Sequence, residues 1–241
     1  MKRKLHKYIL GIVLLVCFNL SFAVSVSAMD IWFPTTAFNQ DEGEKLYTLF
    51  QIERVNEEYI GASGICNFDV SRDGTLAINF TNSHLNIYDK DGNFLYGYQF
   101  EVSGAHYAFF DTEDSQIIFY FLRDNCLVKV DDQGALLEIC GAYDYSKNSD
   151  ILDKQLQTKS RHYQEYEYCL DNIFFNSKYI RVGDTKLIRY DAQGEELVIY
   201  DGNKQYRMHL ITIAVLCWFF AVTCIGIVVI KNRRSRKFYN L

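Results

Sequence analysis

No catalytic signature runs through this 241-residue sequence. It contains no G-x-S-x-G, no H-E-x-x-H and no P-loop pattern, so the serine-elbow, zinc-hydrolase and phosphate-cradle chemistries lack their residues. It has no C-x-x-C pair either, which argues against a zinc ribbon and a redox dithiol. Between residues 29 and 207 histidine is limited to His84, His106 and His162, widely separated. Carboxylates are too abundant there to nominate a glycosidase pair, which is recognised by measured separations. Proline occurs once, yet nothing reads as disordered, because apolar residues reach 49% and charges are mixed. No catalytic residue, metal site or cofactor is assigned.

What is abundant is aromatic surface: 18 Tyr and 18 Phe, with aromatics at 16% of the chain. Such side chains suit a pleated, half-buried sheet, so the composition predicts a mainly β fold with room for one medium domain.

The two ends carry topology. Lys2, Arg3, Lys4 and Lys7 precede an apolar run from Tyr8, and Val26-Ser27-Ala28 offers small residues before a cut. This is the order of a secretory signal peptide over residues 1–28, or of an uncleaved anchor. Leu210–Ile230 is an unbroken apolar run of 21 residues, matching a hydrocarbon core of ~30 Å, so a transmembrane helix is predicted over 208–230. The run holds no ionisable residue and no G-x-x-x-G, so it reads as an anchor with neither an ion path nor a tight helix-pairing face. Lys231, Arg233, Arg234, Arg236 and Lys237 follow it and predict a cytoplasmic tail, 231–241. Residues 29–207 are then expected outside the cell membrane of a single-pass protein. All 30 acidic residues lie in that part against 16 basic ones, a net of −14. That balance disfavours nucleic acid as a partner and leaves the bilayer, and another membrane or envelope protein, as the expected ones.

Three stretches share one pattern: "LNIYDKDGNFLYGY" (85–98), "LVKVDDQGALLEIC" (127–140) and "LIRYDAQGEELVIY" (187–200). Each places Asp, two residues, Gly between apolar runs, at Asp89 and Gly92, Asp131 and Gly134, Asp191 and Gly194. The physical content is strand, tight turn, strand, with Asp opening the turn and Gly taking a positive φ. A second hairpin is read upstream of each, around Asp73-Gly74, Glu113-Asp114 and Asn176-Ser177, giving four strands per unit. The first two copies are 42 residues apart, a common blade length, and the third lies 60 further on. In turn chemistry and period, residues 60–201 resemble β-propeller repeat proteins of the broad NHL and TolB-like kind. That resemblance implies a propeller-like array of about four antiparallel units, closed or open, and carries no catalytic residue across. Residues 30–60 are expected to supply remaining strands.

The excess length falls at 143–168, which loses the strand rhythm and reads as an insertion. A short helix from Ser149 or Asp150 would set Leu152, Leu156 and Tyr163 on one face. His162, Tyr163, Tyr166 and Tyr168 form the candidate contact surface there, with plain packing of the tyrosines as the competing account. Asp89, Asp91 and Asn93 have calcium-loop spacing, but Gly92 and Phe100 break it and Gln133 and Gln193 replace Asp91 in the sister copies. A turn is the better reading. Cys66, Cys126, Cys140 and Cys169 are an even set of outer cysteines, open to disulfide pairing or to life as separate buried thiols. Asn79-Phe80-Thr81 is a glycosylation sequon. The expected function is binding or scaffolding by a membrane-anchored outer β domain, without catalysis. A hydrolase or lyase of envelope polymers and an accessory subunit of a membrane complex are the alternatives.

Overall fold

The computed structural model describes residues 35–142, 156–171 and 184–238. Along the chain run β1 (Thr35–Ala37), α1 (Gln40–Phe50), β2 (Glu53–Val55), β3 (Ile65–Val70), β4 (Leu76–Phe80), β5 (His84–Tyr88) and β6 (Phe94–Gln99). Then come β7 (His106–Phe110), β8 (Ile117–Phe121), β9 (Cys126–Val130) and β10 (Leu136–Ala142). The last part holds β11 (Ser160–Tyr163), β12 (Tyr166–Asp171), β13 (Lys186–Tyr190), β14 (Glu196–Asp201) and α2 (Asn203–Phe238). The fold is mainly β, and every strand pair is antiparallel.

Three sheets result, each a meander of four consecutive strands: β3–β6, β7–β10 and β11–β14. The first gains β2 beside β6 and the second gains β1 beside β10, so the segment before residue 60 does contribute strands. The sequence reading expected about four units. Three sheets stand among the described residues, and they form no closed propeller.

The sheets stack face to face, with the first in the middle. Ala77, Leu85, Ile87 and Tyr98 of the first sheet meet Ala108, Phe110, Phe119 and Val128 of the second in one apolar cluster. The opposite face of the first sheet sends Phe68, Leu76, Ile78 and Phe80 against Tyr168, Leu187, Ile199 and Tyr200 of the third. A strand covered on both faces has no need to alternate, which is why β4 (LAINF) and β8 (IIFYF) are buried at every position. Helix α1 closes one end of the first cluster. Asn39 caps it by accepting from Glu42 N at 2.9 Å, and Phe50 stacks on Phe121 at 4.0 Å.

The Asp-x-x-Gly turns are the same object three times. Asp89, Asp131 and Asp191 each accept, through one carboxylate oxygen, the N–H groups two and four residues on. Gly92, Gly134 and Gly194 sit at φ +85°, +83° and +81°. Ser71–Gly74 repeats the backbone pattern with serine in the Asp place: Ser71 N donates to Thr75 O, and Gly74 sits at φ +87°. The Asp89 carboxylate is thus filled by its own turn, with Asn93 Nδ2 adding a third donor at 2.8 Å. Those hydrogen bonds, that from the Asn93 side chain foremost, hold its carboxyl below the usual range.

One reading needs correction. Tyr163 lies in β11 rather than on a helix, because Arg161 and Tyr163 face inward while His162 faces out, a period of two. The end of the supposed insertion is therefore sheet, while 143–155 lies outside the described residues. A hairpin turns at Gln164 (φ 51°), where Tyr163 pairs with Tyr166, while the turn expected at Asn176-Ser177 lies outside the described residues. Helix α2 starts at Asn203, includes the predicted span 208–230, and is separated from β14 by Gly202 alone.

Helix α2 is the one described helix long and apolar enough to cross a membrane, over Asn203–Thr223, and from Arg207 to Thr223 it is exposed throughout.

Candidate binding surface

The predicted contact group is divided by the pleat. Tyr168 is fully buried in the core between the first and third sheets, and Tyr163 and Tyr166 pack against the same core. Tyr163 also donates to Arg72 O at 3.1 Å, and the Arg189 guanidinium lies 4.4 Å from the Tyr166 ring centre. His162 points the other way, exposed, 3.6 Å from Glu167. The three tyrosines thus come together as packing, and His162 stands apart from them.

Cys66, Cys126, Cys140 and Cys169 are free thiols. Cys126 sits opposite Gly141 and Cys140 opposite Leu127, so these neighbours project from opposite faces of the second sheet and cannot bridge. Burial pushes both thiols up to about 12, and Cys66 to about 11. The sequon asparagine is interior as well. Asn79 is fully buried and donates to Asn67 Oδ1 at 2.9 Å and to His106 O at 3.3 Å, which leaves a glycan no room.

That asparagine belongs to a polar seam where the first sheet grips the edge of the second. Asn67 Nδ2 donates to Ala108 O at 2.6 Å, and Ala108 N donates back to Asn67 Oδ1 at 3.2 Å. Phe110 N donates to Asp69 Oδ2 at 2.8 Å. His106 Nε2 lies 3.0 Å from Phe80 O, and Cys66 Sγ donates to His106 O at 3.1 Å. Side chains of β3 and β4 thus serve the open backbone groups of β7, as a further strand would.

An accessible concave feature lies elsewhere, beside the β2 edge of the first sheet. It is a cleft of about 470 Å³ to which segment 55–59 contributes Val55, Glu57, Glu58 and Tyr59, and the neighbouring strand ends His84 and Gln99. Its wall is pinned to β5. Tyr59 N donates to Asn86 Oδ1 at 3.1 Å, and Asn86 Nδ2 donates to Tyr59 O at 3.0 Å. The buried Tyr88 hydroxyl donates to Glu58 Oε1 at 2.7 Å, and burial pushes that phenol well above its usual range, so it remains a donor. The Tyr59 and His84 rings lie 4.4 Å apart. His84 Nδ1 is 3.0 Å from Asn82 O, close enough to donate to that carbonyl.

No known family model matches the chain, and no curated protein does.

The cleft's chemistry is therefore read from its own side chains. Two carboxylates and a tyrosine ring favour a positively charged group. Among the described residues, no set of three His, Cys, Asp or Glu is placed to hold a metal ion. Sequence reasoning missed this cleft because Glu57-Glu58-Tyr59 bears no motif. The available signal was Asn86, an amide in the middle of an apolar strand, which had to have a partner.

Proposed function

We propose that this chain is a membrane-anchored binding protein whose outer domain, residues 29–207, is an open array of propeller-like sheets facing away from the cytoplasm. The Leu210–Ile230 run with its basic flank supports that orientation, and the acidic outer part supports a cationic ligand. One observation carries the reading: an acidic, aromatic cleft is clamped to the first sheet by the Asn86–Tyr59 pair of hydrogen bonds. Such a site binds without performing chemistry, since Glu58 is engaged by Tyr88 and His84 rests on Tyr59.

The test is titration of the full chain in detergent micelles with spermidine, against glutarate as an anionic control. Spermidine should bind, and Glu57→Gln with Glu58→Gln should weaken it at least tenfold. Equal binding of both probes, or none of spermidine, would sink the cleft assignment. Protease digestion of intact cells should remove the domain from outside, and protection would reverse the orientation.

A further inference from the structure

Two of the three sheets end in a strand donated by the chain's own N-terminal segment, β2 on β6 and β1 on β10. The third ends at β14, which has no strand on its outer side among the described residues. This edge is bare. Leu197 is 37% and Val198 44% exposed, and Glu196 beside them is exposed too. Its turn is equally open. The Gly92 turn lies against Leu197 and Ile199, and the Gly134 turn against Ile52, Arg54 and Tyr98, whereas nothing stands within 4 Å of where a Gly194 side chain would begin. Open edges are ordinarily blunted by lysine, proline, a bulge or a cover; β14 has no lysine, no proline and, among the described residues, no covering strand, and its one irregularity is a bulge at Ile199.

We propose that β14 is a docking edge that receives an extended, basic segment of another membrane or envelope protein as an added strand. Charge names the occupant. Glu195 and Glu196 open the strand and Asp201 closes it, and no Lys or Arg lies between Asp191 and Asp201. A second copy fits poorly, because antiparallel self-pairing centred on Val198 sets Glu195 against Asp201 twice, and like charges directly opposite are unfavourable. The chain covers its own sister edge with β2, Glu53-Arg54-Val55, whose Arg54 guanidinium lies 4.6 Å from the Tyr96 ring centre on β6. In strand addition, backbone hydrogen bonds supply affinity and alternate side chains supply selectivity. The incoming Lys or Arg meets Glu195 and Glu196, and small branched side chains cover Leu197 and Val198. Because β14 continues through Gly202 into α2, a partner held in the same bilayer reaches this edge.

The proposal rests on the binding reading above but on a different surface, so the spermidine result leaves it standing or falling alone. The probe is the peptide acetyl-Lys-Arg-Val-Thr-Val-Lys-amide, with its Glu-for-cation counterpart as control, added to the full chain in micelles. The basic peptide should slow amide hydrogen exchange across residues 196–200, and Val198→Lys or Glu196→Lys should weaken its binding at least tenfold. The double variant E195K/E196K should turn preference toward the acidic peptide, a readout that a folding defect would not mimic. Equal binding of the two peptides, absent protection of β14, or unchanged binding in the variants overturns the proposal. Cross-linking of two copies through residue 198 without peptide overturns it in favour of a dimer.

Discussion

The Arg161 Nε lies 3.2 Å from the Asp69 carboxylate, and the two residues come from different sheets. Arg161 belongs to β11 of the third, Asp69 to β3 of the first, and the other Asp69 oxygen accepts Phe110 N from β7 of the second. Arg161 also donates to Phe68 O at 3.1 Å. One buried carboxylate therefore meets all three sheets. Truncating one member of such a pair leaves a charge stranded, at a cost of about 3–5 kcal/mol. Arg161→Ala should accordingly destabilise the β domain by about that much in urea unfolding followed by circular dichroism. Arg161→Lys, which keeps the charge and loses the planar fork, should fall between it and the wild type.

The same carboxylate sets a pH dependence. Burial raises the Asp69 carboxyl above its ordinary range, outweighing Arg161 and the Phe110 amide. The folded chain then holds this proton more tightly than the unfolded chain. The Asp69 contribution is most favourable below the unfolded value of about 4 and declines as pH rises through the higher folded value. Asp89, Asp73 and Asp114 are lowered, so their contributions run the opposite way and fade in acid. The measurement is therefore a difference: stability of wild type minus Asp69→Asn, followed from pH 4 upward. That difference should fall with pH, and a flat or rising curve would contradict the assignment.

The three sister glycines separate turn strain from packing. All sit at positive φ, so a Cβ costs each about 1–2 kcal/mol. At Gly194 it enters open space, and at Gly134 its nearest neighbour is an ordinary 3.6 Å away. At Gly92 it meets Ile199 Cδ1 at 3.0 Å, on the interface with the third sheet. Gly92→Ala should cost more than Gly194→Ala or Gly134→Ala in thermal unfolding, and equal losses would remove the packing term.

The three corners were legible because a turn is local. Asp, Gly and the residues between them decide it, and Asp89, Asp131 and Asp191 all form the predicted corner. The ending of the pattern was less so. The leucine three places after Gly92 and Gly134 looks like core, yet Leu95 and Leu137 have no cross-strand partner and are 47% and 52% exposed at bulges. Period-two reasoning fails wherever one residue is inserted. The polar seam was hidden for another reason: Asn67, Asp69 and Asn79 find partners 27 to 41 residues away, on a strand edge that exists only once the sheets have stacked. The tyrosines at 163, 166 and 168 drew notice as a cluster, but only strand register could reveal that they face inward and His162 outward.

Cysteine chemistry offers a direct check of the second sheet. Cys126 and Cys140 lie on opposite faces, both buried, with thiols pushed up to about 12 by desolvation. Alkylation requires the thiolate, which such sites withhold at pH 8. Iodoacetamide should leave both unmodified in the folded protein and label both in 6 M guanidinium, read by peptide mass spectrometry. A Cys126–Cys140 disulfide in the purified protein would contradict the register.

The junction with α2 governs how the β domain is held. Thr185 Oγ1 donates to Asn203 Oδ1 at 2.5 Å with both residues buried, Gly202 N donates to Thr185 O at 2.9 Å, and Asn203 N donates to Asp201 Oδ1 at 2.9 Å. A strand and a helix joined by one residue and three hydrogen bonds behave as a bracket, whereas a flexible linker would let the domain swing. Spin labels on unnatural residues at positions 167 and 208 should give a narrow distance distribution in the full chain in micelles. Inserting Gly-Gly-Ser between Gly202 and Asn203 should broaden it. Thr185→Val should broaden it partly, since losing that hydrogen bond leaves a buried amide oxygen unpaired at about 1–3 kcal/mol. A wild-type distribution as broad as that of the insertion would show that the helix moves freely beneath the sheets. A surface on β14 would then have no fixed height above the bilayer from which to meet a partner.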